Sequence, residues 1–191
     1  MKKIVITGGL GYIGTELCKI YSGYSWNDKI TVIDNRFISE RVNQIRNWNM
    51  TFIQGDILDK DLINEHCKDA DIVHHLAGIT DVPRVKSEST FEKEELIKKV
   101  AEEGTQNILD AISDECKIIM PSSHVVYEGL DSVKKNIKED EKTCPTLAYG
   151  KSKNINEKQL KNSGKNYIIL RLGSVYGYST DSMRIDIMPN L

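Results

Sequence analysis

Lys3-Ile4-Val5-Ile6-Thr7 runs straight into Gly8-Gly9-Leu10-Gly11-Tyr12-Ile13-Gly14, and this stretch decides the fold. An apolar run rich in β-branched residues predicts a buried strand. Gly8, Gly11 and Gly14 are spaced G-x-x-G-x-x-G, which predicts a tight turn into a helix. Glycine there permits the turn and lets the backbone approach a ligand closely. The N–H groups at the start of the following helix, aided by its dipole, suit a pyrophosphate. The donors expected are the amides of Tyr12 and Ile13. A glycine-spaced strand–helix turn with no ligand is the plainer alternative.

Working outward, short apolar runs alternate with helix-like stretches. Strands are predicted at Lys3–Thr7, 30–34, Thr51–Gln54, 71–76, 117–120 and 167–171. Their nearly continuous apolar character fits strands covered on both faces. Helices are predicted at 12–22, Lys60–Cys67, 91–112 and 149–161. In 91–112, Leu96, Val100, Gly104, Ile108 and Ile112 recur every four residues and predict a narrow buried stripe. The expectation is an α/β fold, a Rossmann-type doubly wound parallel sheet with helices on both faces. Two long loops, 36–49 and 78–89, fall near strand C-termini, where ligands bind in open α/β sheets.

The chain has 191 residues and a net charge of −2, so no general attraction to nucleic acid or an anionic membrane is expected. Only a few apolar residues precede the first glycine, too few for a secretory leader or a membrane span. The expected location is cytoplasmic. Cys18, Cys67, Cys116 and Cys144 show no metal-ligand spacing and read as reduced packing residues. His74 and His75 are adjacent in a strand and point to opposite faces, so they read as structural rather than as a metal pair. No metal site is expected.

Asp34 ends the second strand, twenty residues past Gly14. A carboxylate there accepts hydrogen bonds from adenosine ribose hydroxyls and repels a 2′-phosphate, which favours NAD over NADP. Arg36 tempers that preference, because a nearby arginine accommodates the phosphate. Asn35 lies between them and joins the candidate contacts.

Tyr149 and Lys153 are four residues apart, on one face of a predicted helix. Ser122-Ser123 lies upstream at the end of an apolar run. Together with the glycine turn, in this order, these motifs resemble the extended short-chain dehydrogenase/reductase family, the NAD-dependent nucleotide-sugar epimerases and dehydratases. The resemblance spans about residues 1–178. Pro145, Gly150 and Ser152 match the pattern around the Tyr/Lys pair, as does Leu170-Arg171-Leu172-Gly173-Ser174-Val175-Tyr176-Gly177. Ser174 and Ala101 stand where relatives more often have Asn.

The resemblance implies an NAD cofactor and a nucleotide-diphosphate sugar substrate. It implies Tyr149 as the base, Lys153 as its charge partner and ribose ligand, and Ser123 as a hydroxyl donor; a turn cap is the alternative for Ser123. It places Asp56 and Ile57 at the adenine, with Asp56 reading equally as a helix N-terminal acid, and Leu76, Ala77 and Gly78 along the cofactor. Dehydratases of the family carry an Asp-Glu pair where this chain has His124 and Val125. Epimerisation through a transient keto intermediate is therefore expected, with a reductase or dehydrogenase, or a non-catalytic NAD-binding module, as alternatives. Residues 1–178 read as the cofactor domain and 179–191 as the start of a truncated substrate-binding region. The helices 91–112 and 149–161 are candidates for a homodimer interface; the stripe on the first would alternatively face only the sheet.

Overall fold

The computed structural model describes residues 1–24, 27–80, 90–132 and 134–176. The expected loop at 78–89 and the expected start of a substrate region at 179–191 lie largely or wholly outside them. Six strands form one parallel sheet: β1 (Lys3–Thr7), β2 (Lys29–Asp34), β3 (Thr51–Gln54), β4 (Ile72–His75), β5 (Lys117–Ser123) and β6 (Asn166–Leu172). Their order is β3-β2-β1-β4-β5-β6, with Ile4 paired to Ile30 on one side and to Ile72 on the other. The order reverses between β1 and β4, which opens a crevice at the strand C-termini.

Alternation along β1 shows why both faces are covered. Ile4 and Ile6 pack with Cys18 of α1 (Tyr12–Tyr24) and with Val42 and Ile45 of α2 (Ser39–Asn47). Val5 points the other way. It packs with Ile63 of α3 (Lys60–Cys67), Ile108 of α5 (Thr105–Ala111) and Leu160 of α6 (Ala148–Asn162). Each such side chain, fully buried, contributes about 1.5–3 kcal/mol.

Four expectations need correction. The loop at 36–49 contains α2; Val42 and Ile45 are fully buried at helical spacing within an otherwise polar run that hides the pattern. Strand β5 extends past 120 to Ser123, pairing Pro121 with Leu170. Its β4 pairing stops at Ile119, so the missing proline N–H breaks no bond on that side. The helix expected at 91–112 is α4 (Phe91–Lys99), a π-helical turn at Val100–Gly104, and then α5. The extra residue per turn shifts the stripe, leaving Leu96 half exposed while Ile97 and Ala101 are buried. Cys18, Cys67 and Cys116 are buried as expected, but Cys144 is exposed. Among the described residues no helix is long and apolar enough to cross a membrane.

Candidate active site

The candidate residues gather at the C-terminal ends of the strands, because each follows the strand that delivers it. Gly8, directly after β1, has φ +70, and its amide donates to the Ile33 carbonyl at 2.7 Å. A Cβ on Gly8 would lie 2.6 Å from the Ala77 nitrogen, and one on Gly14 would lie 2.5 Å from the Gly8 carbonyl oxygen. The turn is thus pressed against the end of β4 and the start of α1, with room only for glycine. Tyr12 and Ile13 occupy the first turn of α1, where helical N–H groups lack intrahelical acceptors. This cradle fits a pyrophosphate.

Asp34 is buried at the end of β2. Its carboxylate accepts from the Leu10 amide at 3.0 Å, and from the Arg36 amide, Nε and Nη2 at 3.0, 3.1 and 3.3 Å. Asn35 donates to Asp56 at 3.0 Å, while the other Asp56 oxygen accepts from the Leu58 amide. Asp56 therefore closes a turn as well as facing the loop after β2. Ile57 is mainly a packing residue: its side chain fills the space beside Gly104, and its carbonyl accepts from Asn107 at 3.0 Å. Leu76 and Ala77 back the glycine turn, and Ala77 donates to the Thr7 hydroxyl at 3.3 Å. Gly78 faces open space.

At the other end of the crevice, Tyr149 lies in the first turn of α6. The Lys153 ammonium sits 5.8 Å from its ring centroid, as the four-residue spacing predicts. Burial pulls the Lys153 ammonium down to about 8. Ser123 ends β5, and its Oγ accepts from the Val125 amide at 3.4 Å, so it caps the short turn His124–Tyr127. A Cβ on Gly150 would lie 3.0 Å from the Val125 carbonyl oxygen, so the start of α6 abuts that turn directly.

Several supporting residues escaped sequence reasoning. Glu128 accepts from the Thr146 and Leu147 amides at 2.8 and 2.6 Å, serving the start of α6 where no local side chain caps it. Glu157 is buried and accepts from Ser122 at 2.7 Å, from Arg171 at 2.8 and 2.6 Å and from Lys161 at 3.2 Å. Burial alone would raise its carboxyl, but these donors hold it at about 2. The one available signal was its place one turn after Lys153, with a lone Arg171 inside an apolar strand.

His75 bridges the Thr7 and Thr105 hydroxyls at 3.0 Å each, and Thr105 accepts from Asn156 of α6 at 2.8 Å. Burial, and then the positive charge of Lys153, lowers His75 to about 3, so it is neutral. His74 faces the opposite side and meets the Tyr21 hydroxyl at 2.7 Å. The chain Thr7–His75–Thr105–Asn156 links the glycine turn to the helix that carries Tyr149 and Lys153.

Residues 5–184 match the 3-beta hydroxysteroid dehydrogenase/isomerase family. The chain belongs to that family, within the extended short-chain dehydrogenase/reductases. The dTDP-D-glucose 4,6-dehydratase of Dictyostelium discoideum is 29% identical over 199 residues, covering 93% of this chain and 44% of the relative. The UDP-N-acetylglucosamine 4-epimerase of Methanobrevibacter ruminantium superposes with a TM-score of 0.73 at 29% identity, covering 89% of this chain and 54% of that one. The UDP-glucuronic acid 4-epimerase of Bacillus cereus, solved with NAD, gives 0.74 at 26% identity, covering 92% and 57%. This family member spans about half the length of the curated relatives it matches.

Proposed function

We propose that this chain is the cofactor-binding and catalytic part of an NAD-dependent enzyme that epimerises a nucleotide-diphosphate sugar through a transient keto intermediate. One observation carries the reading: Lys153, buried and charged, lies one helical turn beneath Tyr149 at the same C-terminal end of the sheet as a glycine cradle closed by Asp34. The relatives' chemistry supports it. His124 and Val125, without a carboxylate, favour epimerisation over dehydration. A 4-reductase or dehydrogenase would use the same three side chains.

Bound NAD supplies a reversible hydride acceptor. Gly8, Gly11 and Gly14 admit its pyrophosphate to the amides of Tyr12 and Ile13, and Asp34 receives the adenosine ribose. Tyr149, as phenolate, would take the proton of the sugar hydroxyl and return it to the same oxygen. A free phenol titrates near 10, so action at neutral pH needs about 4 kcal/mol of phenolate stabilisation. The Lys153 ammonium provides part of it. The Ser123 hydroxyl donates to the same substrate oxygen.

In this reading residues 1–178 form the cofactor domain, 179–191 open a sugar-binding region, and the enzyme works in the cytoplasm. A second copy would dock on α4 and α6, where Phe91 and Leu96 are exposed; sedimentation at micromolar concentration tests this, and a monomer refutes it. For the chemistry, Tyr149→Phe in the whole protein should cost orders of magnitude in kcat and leave NAD affinity nearly unchanged. A variant with ordinary activity on nucleotide sugars refutes the role of Tyr149.

A further inference from the structure

In the reaction proposed above, the Ser123 hydroxyl and Tyr149 meet at one substrate oxygen, yet they stand on different elements. The turn His124–Tyr127 runs between them. Ser123 leads into it and caps it, and Glu128 closes it, its amide donating to the Val125 carbonyl at 3.2 Å. One oxygen of Glu128, Oε1, accepts from the Thr146 amide at 2.8 Å, the Thr146 hydroxyl at 3.2 Å and the Leu147 amide at 2.6 Å. Leu147 is the N-cap residue of α6, and its own side chain has no oxygen to offer the helix. The segments on either side lie against each other. Gly129 donates to the Cys144 carbonyl at 2.9 Å, and Cys144 donates to the Val126 carbonyl at 2.8 Å. A Cβ on Gly150 would lie 3.0 Å from the Val125 carbonyl oxygen and 3.3 Å from Glu128 Oε1. The turn is held from the sheet as well: Ser123 pairs with Leu172 of β6, and the Arg171 guanidinium lies over the Tyr127 ring, 5.0 Å from its centroid.

Resting on the roles proposed for Ser123 and Tyr149, we infer that Glu128 is a positioning residue that fixes the separation of these two side chains. The covalent path from one to the other runs through the whole segment 129–146, a long loop with little regular structure. The path through Glu128 is short: along one turn, across one carboxylate oxygen, and onto the two residues just before Ala148 and Tyr149. Farther along α6, Asn156 is anchored to Thr105 and Glu157 to Ser122. Glu128 anchors the end that carries Tyr149. A carboxylate suits the task, because it only accepts, its bonds to amides are strong, and the positive end of the helix dipole favours it. Glu128 acts through the turn and the helix, not on the substrate. The stake is large, since displacing a reacting group by about 1 Å costs up to about a hundred-fold in rate.

The test compares wild type, Glu128→Gln, Glu128→Ala and Tyr149→Phe in the whole protein. The probes are UDP-glucose, UDP-glucuronic acid, UDP-N-acetylglucosamine and dTDP-glucose, with NAD titrated by calorimetry. Glu128→Gln keeps an oxygen in place and should hold kcat within about three-fold of wild type, because a neutral acceptor retains much of each bond. Glu128→Ala removes the acceptor and should lower kcat about ten- to a hundred-fold. Its KM and NAD affinity should stay within about two-fold, the split that marks an interaction felt only in the transition state. Hydrogen exchange gives a second readout: the Thr146 and Leu147 amides should lose protection in Glu128→Ala and keep it in Glu128→Gln, with Ile118 and Ile169 unchanged. If Glu128→Ala does not fold, Glu128→Asp decides in its place, since a shorter reach should lower kcat about three-fold at unchanged NAD affinity. Ordinary kcat in the variant that removes or shortens the acceptor overturns the positioning role. So does a fall in NAD affinity and in Ile118 and Ile169 protection that parallels the fall in kcat, which marks general loosening. Tyr149→Phe separates this role from the reading beneath it. If Tyr149→Phe keeps ordinary activity, or if wild type turns over none of the probes, the epimerase reading fails and the role falls with it. If Tyr149→Phe is inactive while Glu128→Ala matches wild type, only the positioning role fails.

Discussion

Replacing Glu157 by alanine removes the acceptor on which Ser122, Lys161 and both arms of Arg171 converge. The Glu157 side chain is 1% exposed and that of Arg171 12%, so the arginine would be left buried without a carboxylate, keeping only the Tyr127 hydroxyl and the Glu139 carbonyl. Breaking such a pair from one side costs about 3–5 kcal/mol. The carboxyl, held at about 2 against an ordinary 4.5 by these same donors, corresponds to roughly 3 kcal/mol for its charged form. For a domain of this size that predicts a fall in Tm of about 10 °C. The pH dependence has a definite sign. A carboxyl whose folded pKa is depressed contributes its stability above the unfolded value, near 4.5, and loses it as pH falls towards 2. Thermal melts of wild type, Glu157→Ala and Glu157→Gln from pH 7 down to pH 2.5 should show both variants losing stability at neutral pH and converging on wild type in acid. A shift below about 2 °C at pH 7, or a difference that stays constant through the acid range, would refute the buried-network reasoning.

Lys153→Met should raise stability at neutral pH, because the buried ammonium, at about 8 rather than 10.5, costs up to roughly 3 kcal/mol. In wild type this cost is relieved as pH rises from 8 to 10.5, and the variant should lack that rise; NAD affinity by titration should fall in parallel. A Lys153→Met protein less stable than wild type at pH 7 would sink the assignment of a strained, desolvated lysine. Gly14→Ala should abolish NAD binding and lower Tm, since its Cβ would lie 2.5 Å from the Gly8 carbonyl oxygen and 2.6 Å from Gly9 Cα. Both contacts are backbone and cannot turn aside, so normal binding by Gly14→Ala would show that the turn does not hold the pyrophosphate.

The alternation of apolar runs with helical stretches was enough to read a parallel α/β sheet, and five of the six strands were placed nearly to their ends. Local chemistry did this: β-branched runs bounded by glycine have few alternatives. The Tyr149–Lys153 pair was equally legible, because a four-residue spacing becomes a shared face as soon as a helix forms. Helix α2 was not, since only Val42 and Ile45 mark its buried side among charged neighbours. The π-helical turn at Val100–Gly104 was also invisible. There Asn156 and Gln159 of α6 donate to the Ala101 and Glu102 carbonyls across the packed helices, contacts that no local sequence pattern announces.

Sequence by itself picked out the candidate residues, since residue type and spacing are local properties. Only the tertiary structure decided what each of them touches. Glu157 reads as one more helical acid until Arg171, fourteen residues later, is seen pointing at it from β6. Asp34 reads as an open ribose acceptor until Arg36 and the Leu10 amide are found on it. Burial strips water from these groups and makes their protein partners obligatory. Arg36 is a near neighbour of Asp34, but the Leu10 amide and Arg171 come from other segments that meet their acids only when the sheet brings the strand ends together.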